Sequence, residues 1–231
     1  MFKNYIILFI LGLGIITSII LQWKLHHSVS KLPDDWKKKR SIRNFRLGIF
    51  FLSLFITGGF LTESISEYLA KKSIYNSFVF SIDFTVTTLF IFGFLFIHTQ
   101  TYWKRCCYFL FYLIILIYLI QGGYYDRSCV LPANSSLLIF SLYFLAGLLH
   151  LTDLLLNPKS DYFNFRLKIN ISLIIYSLIS IIITSFYWAE SMTIDNNPSV
   201  YLYYLNSLIN ELFYLSLTIV FIQEIFKLGR K

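Results

Sequence analysis

YIILFILGLGIITSIILQW, from Tyr5 to Trp23, runs for nineteen residues without a charged side chain. A hydrocarbon core about 30 Å thick takes about 20 such residues to cross as a helix. In lipid only helices and closed barrels satisfy their own backbone groups. The apolar residues here come in blocks with no period of two, so the stretch reads as a helix and not as a barrel strand. A secretory leader is the other reading of an apolar N-terminal block. It would need small residues at a cleavage site, and Gln22-Trp23-Lys24 offers none, so the stretch is kept as a first helix.

Outward from it the pattern repeats. Further apolar blocks occupy roughly 47–70, 76–98, 106–124, 136–156, 167–188 and 200–224, which with 5–23 makes about seven. The connections are short, the longest running from Lys24 to Arg46, and residues 1–231 read as a single transmembrane domain. The composition agrees: 57% of residues are hydrophobic and only 14% charged, against about 25% charged in soluble domains. Aromatic residues make up 19%, with 24 Phe and 17 Tyr, which suits lipid-facing surfaces and interfacial belts. The fold class expected is all-α, a polytopic integral membrane protein.

The net charge of +8 is a topology signal before it is a binding signal. Sixteen of the 20 Lys and Arg lie on one side of the predicted spans: eight between Lys24 and Arg46, then Lys104 and Arg105, then Lys159, Arg166 and Lys168, then Lys227, Arg230 and Lys231. The other side has four, Lys3, Lys71, Lys72 and Arg127. Cytoplasmic loops carry the basic excess. An odd helix number then puts the N-terminus outside and the C-terminus in the cytoplasm, with the acidic, Asn-containing stretch 190–198 outside. A bacterial inner membrane is the expected setting. Lys37-Lys38-Lys39-Arg40 beside Trp36 could rest on anionic headgroups, and no specific nucleic-acid contact is expected. Cys106, Cys107 and Cys129 imply no disulfide framework. A four-residue match, Asn44-Phe45-Arg46-Leu47 with Asn164-Phe165-Arg166-Leu167, opens the second and sixth helices; parallel three-helix repeats about a middle helix are one way to build seven.

Acids inside hydrocarbon cost about 2.5–3.5 kcal/mol even on lenient scales, so each needs a reason. Glu63 and Glu67 share a face of helix two, with Glu67 four residues from Lys71 and so placed for an ion pair. Asp83 lies about 10 Å, and Glu211 about 15 Å, below the expected outer surface at about 1.5 Å per residue. Glu211 belongs to the stripe Tyr204, Ser207, Glu211, Tyr214, Thr218, flanked by Asn206 and Asn210. Glu211, Asp83, Glu63, Asn206 and Asn210 are therefore the expected lining of an outward-open polar pocket for a cation, a proton or an amine. The alternative is interhelical glue, with the acids hydrogen-bonded to Tyr, Ser and Asn.

All four His lie on the basic side. His98, His150 and Asp153 are the residues from which a metal site could be assembled there, but no HExxH, no paired His on one helix and no nucleophile motif accompanies them. No metal and no cofactor is expected.

Two stretches, Thr62-Glu63-Ser64-Ile65-Ser66-Glu67-Tyr68-Leu69-Ala70-Lys71 with the Asn76–Asp83 entry that follows, and Tyr203-Tyr204-Leu205-Asn206-Ser207-Leu208-Ile209-Asn210-Glu211-Leu212-Phe213-Tyr214, carry a resemblance. The pattern resembles compact seven-helix bacterial membrane proteins similar to the sensor regions that precede histidine kinases. The resemblance implies sensing through a separate protein at the cytoplasmic face, since the chain ends at Lys231 without an output domain. A small transporter or channel component using the same acids is the first alternative. A lipid-modifying enzyme at the cytoplasmic face is the second.

Overall fold

The computed structural model describes residues 2–30, 36–72, 77–99, 101–125, 133–158, 162–193 and 200–229. These form seven α-helices: α1 (Phe2–Ser30), α2 (Trp36–Lys71), α3 (Ser77–His98), α4 (Tyr102–Tyr125), α5 (Ala133–Leu156), α6 (Phe163–Thr193) and α7 (Val200–Gly229). Among the described residues five are long and apolar enough to cross a bilayer, in α1, α2, α5, α6 and α7; α3 adds the shorter apolar stretch Thr85–His98. The chain is an all-α, multi-pass membrane protein.

Most helices run further than their apolar blocks. α2 starts at Trp36 and not near residue 47, so Lys37–Arg46 is the first turns of a helix and not part of a loop. The side chains of Lys37 and Lys38 lie outside the described set, while Lys39 is half-buried and Arg40 exposed. α1 likewise continues to Ser30, α4 begins at Tyr102 and continues through Gly122 and Gly123, and α6 spans Phe163–Thr193. The physical reason is that Lys and Arg are strong helix formers. Polarity ends the hydrocarbon-compatible stretch without ending the helix.

Each helix packs on the next in chain order, and α7 closes on α1, so the seven form a ring. Residues at the end of α3 and α5 meet those at the start of α4, as in Thr101–Asp153 and Lys104–Thr152. The end of α1 reaches the end of α7 through Lys24 Nζ and the Ile225 carbonyl at 3.2 Å. Six seams are thus antiparallel and the α1–α7 seam is parallel. One end of the ring gathers Lys24, Lys104, Arg166 and Lys168 and is called the basic end; the other, with Glu63 and Asp83, the acidic end.

The ring turns apolar side chains both ways. Phe9, Trp23, Phe109, Ile175 and Phe186 are exposed on its outside, where lipid covers them. Leu11, Phe45, Ile56, Phe94, Leu95, Ile139, Phe165, Leu217 and Phe221 are buried within. Lipid is as apolar as this core, so close packing and interhelical hydrogen bonds hold the ring together. Gln22 Nε2 donates to Ser53 Oγ between α1 and α2 at 3.3 Å, the Thr88 and Tyr143 hydroxyls hydrogen-bond each other between α3 and α5, and Asn170 Nδ2 donates to the Gly147 carbonyl between α6 and α5 at 3.0 Å. The two Asn-Phe-Arg-Leu stretches meet inside the basic end, Phe45 lying edge-on to Phe165 at 4.8 Å between ring centroids. Phe45 also stacks on Tyr162 at 3.7 Å, and Tyr162 enters α6 in the left-handed region, with φ of 61°.

Candidate functional site

A cavity of about 90 Å³, several times the room one water molecule needs, lies inside the acidic half of the ring. α2 contributes Phe55, Gly59, Thr62 and Glu63, and α3 contributes Asp83 and Thr87. α5 supplies Phe140 and Tyr143, α6 Tyr176, and α7 Asn210 and Tyr214. The walls are therefore aromatic, the polar groups are acids, amide and hydroxyls, and no Lys or Arg stands among these lining residues.

The positions follow from helix geometry. Asp83 and Thr87 are four apart on one face of α3, and so are Gly59 and Glu63 on α2 and Asn210 and Tyr214 on α7. Gly59 leaves the space into which the Tyr214 phenol reaches, a β-carbon there falling 2.5 Å from the phenol oxygen. Thr62 hydrogen-bonds the Asp83 side chain. The other carboxylate oxygen, Oδ1, is buried without a hydrogen-bond partner and leans on the bare Gly58, 3.5 Å from where a β-carbon would stand. Tyr176 donates to Asn210 Oδ1 at 3.0 Å, which turns the amide nitrogen of Asn210 toward other partners. A buried carboxylate oxygen with an open acceptor position, inside aromatic walls, is a receptor for a positively charged or hydrogen-donating group.

Of the five residues expected in this pocket, the fold brings Glu63, Asp83 and Asn210 together. Glu211 is buried, but it is not among the residues that line this cavity. Its face of α7 carries Thr218 seven residues on, and Thr218 Oγ1 packs against Gly14 of α1. Glu211 therefore belongs to the α1–α7 seam, where Ser207 donates to it at 3.4 Å. Asn206 is within α7, but its side chain lies outside the described residues. Glu67 pairs with Lys71 at 2.8 Å, away from the cavity.

The basic end holds a second polar cluster, built on a residue that sequence reasoning passed over. Lys104 is buried, with its ammonium 3.4 Å from Asp153 Oδ1, 2.8 Å from Thr152 Oγ1 and 3.1 Å from the Leu149 carbonyl. Thr101 donates to the same Asp153 oxygen at 2.7 Å. Two arginines cap the C-terminus of α3: Arg105 Nε donates to the Thr99 carbonyl at 2.8 Å and Arg166 to the His98 carbonyl at 3.5 Å. Cations at a helix C-terminus meet the negative end of its dipole. His150 Nδ1 lies 3.2 Å from Thr99 Oγ1, and His98 and His150 both set their edges against Phe94. His98 fits because Gly48 has no side chain, a β-carbon there meeting Nε2 directly. The three residues considered for a metal thus share one end without converging: Asp153 faces Lys104 and Thr101, while His98 points to α2. Among the described residues no three His, Cys, Asp or Glu gather as a metal-binding set.

The signal for Lys104 was present in the chain. Asp153 lies about one turn from the end of α5, an acid inside an apolar block that calls for a cation, and Lys104 opens α4 at the same end. Neither a protein-family model, nor a curated protein, nor a solved structure matches the chain.

Proposed function

We propose that this chain is a membrane-embedded, receptor-like sensor that takes a small cationic ligand in the Asp83 cavity and signals through a separate protein. The observation that carries the reading is the buried Asp83 Oδ1, without a hydrogen-bond partner, in a cavity with no Lys or Arg among its described lining residues. The sixteen-to-four division of basic residues supports an orientation with this cavity outside and the basic end in the cytoplasm. A partner protein, or the headgroups of anionic lipid near Lys37–Arg40, would then meet the basic end. Between the cavity and the basic cluster stand Ile49, Phe94, Leu95, Ala146 and Leu217, all buried. That apolar layer favours a receptor over an open pore.

The test is binding of tetramethylammonium and methylammonium to the full chain in phosphatidylcholine nanodiscs. Asp83→Asn should weaken binding about tenfold, one charge partner in a partly buried site, without lowering thermal stability. Binding unchanged in Asp83→Asn refutes the reading, and Asp83-dependent uptake into proteoliposomes would replace the receptor with a transporter. Orientation is read from a cysteine-free background: Ser199→Cys should react with an impermeant reagent in intact cells and Ser30→Cys should not.

A further inference from the structure

Directly behind the cavity wall, on the lipid side, a groove of about 170 Å³ runs between α6 and α7. Ile175, Ile179, Ile209 and Leu212 line it, with Ser172 and Ser216 at its edges. Ile175 and Leu212 are each about half exposed, at 52% and 51%, so the groove opens where lipid tails lie. Ser216 spends its hydroxyl on the Phe213 carbonyl of its own helix, which leaves that edge apolar toward a tail.

The groove and the cavity share a residue. Tyr176 lines both, and Phe213, which lines the groove, stacks on Tyr176 with ring centroids 4.4 Å apart. One layer of two rings, pinned by the Tyr176–Asn210 hydrogen bond, separates the acids from the bilayer. The neighbouring seams are closed more tightly: Gly147 of α5 lets Ile174 of α6 approach it, and Gly14 of α1 does the same for Thr218 of α7. At the α6–α7 seam the Tyr176–Phe213 pair is thus the wall that the cavity shares with the lipid-side groove.

Resting on the receptor reading above, we infer that the ligand is a single-chain alkylammonium amphiphile, its head in the Asp83 cavity and its tail in the α6–α7 groove. The aromatic walls of the cavity suit an ammonium, whose charge is attracted to ring faces. Two acids, Glu63 and Asp83, repel the phosphate of a phospholipid headgroup, which sets the ligand apart from the surrounding bilayer. The tail gains no transfer energy on leaving lipid, because groove and bilayer are equally apolar. The groove thus selects by shape and position, and the head supplies the affinity. Entry is sideways: Tyr176 swings from Phe213 and Asn210 while the tail remains in a hydrocarbon environment throughout.

A dodecylammonium carrying a diazirine near the end of its tail tests this on the wild-type chain in phosphatidylcholine nanodiscs. Irradiation should label residues 172–179 and 209–216, and the labelling should fall about tenfold in Asp83→Asn. Label spread evenly over the lipid-facing surfaces of α1 and α4 would overturn the inference. Filling the groove from either helix, in Ile179→Trp or Ser216→Trp, should weaken dodecyltrimethylammonium about tenfold and leave tetramethylammonium unchanged. If tetramethylammonium binding depends on Asp83 while neither the label nor the Trp variants single out the groove, the lateral route falls and the cavity reading stands. If Asp83→Asn changes neither ligand, both fall.

Discussion

Replacing Lys104 with Met removes the cation of a buried pair and nothing else of comparable size. The side chains of Lys104 and Asp153 are 5% and 4% exposed, and the ammonium donates to Asp153, Thr152 and the Leu149 carbonyl. Thioether for ammonium keeps the packing of the stem, so the loss is electrostatic. Asp153 keeps the Thr101 bond but loses the Lys104 ammonium, a change that costs about 3–5 kcal/mol when a buried pair is broken from one side. At about 2–4 °C per kcal/mol for a chain of this size, the apparent Tm should fall by about 6–20 °C. Asp153→Asn should cost less, about 1–2 kcal/mol, because Lys104 retains two neutral acceptors and the amide oxygen can still accept from Thr101. The double variant Lys104→Met/Asp153→Asn should therefore be more stable than the sum of the single losses, by about 2 kcal/mol. The assay is thermal unfolding in one detergent, followed by circular dichroism, with all four proteins prepared alike. A Lys104→Met loss below about 1 kcal/mol, with no coupling in the cycle, is how an exposed pair behaves, and it would refute the buried cluster.

Three further outcomes follow from contacts already described. Gly48→Leu should drive His98 out of its place and lower the apparent Tm, and Gly48→Leu/His98→Ala should recover part of it; equal Tm in the two would show that the residues do not meet. Asn170→Leu, removing one interhelical bond between α5 and α6, should cost about 0.6 kcal/mol and no more than about 1.7, read in the same unfolding assay; a larger loss would point to a partner beyond the Gly147 carbonyl. Glu211→Gln should bind tetramethylammonium as the wild type does, since the residue sits on the α1–α7 seam; loss of binding would return Glu211 to the site.

The helices were legible because hydrocarbon requires long unbroken apolar blocks, and Tyr5–Trp23 alone nearly settles the class. Their ends were not, since Lys37–Arg46 reads as a loop on hydropathy and forms a helix on propensity. At the cavity, Glu63, Asp83 and Asn210 stood out as polar groups inside apolar blocks. Tyr143 and Tyr176 did not, because tyrosine is abundant here and equally at home at a membrane interface, and Tyr214 was read only as part of the Glu211 stripe. Glu211 was read correctly as facing protein. Which helix it faces depends on the order of the ring, and a single chain's periodicity carries no information about neighbours. Lys104 was lost among the basic residues that were counted for topology, although Asp153 required it.

The parallel seam between α1 and α7 sets an order of assembly. α1 is the first of the seven to be synthesised and α7 the last, so α1 must sit in the bilayer with its closing partner still unmade. Its buried hydroxyls tolerate that interval: Thr17 bonds the Leu13 and Gly14 carbonyls and Ser18 bonds the Ile15 carbonyl, all within α1. Side-by-side parallel helices place like dipole ends together, and the Lys24 ammonium on the Ile225 carbonyl offsets this at the end where the negative poles meet. The Thr17 and Ser18 hydroxyls of α1 are therefore satisfied before any neighbour is made, whereas the lysine that reaches Ile225 can engage only once α7 is present, so the ring cannot close before its last helix is made.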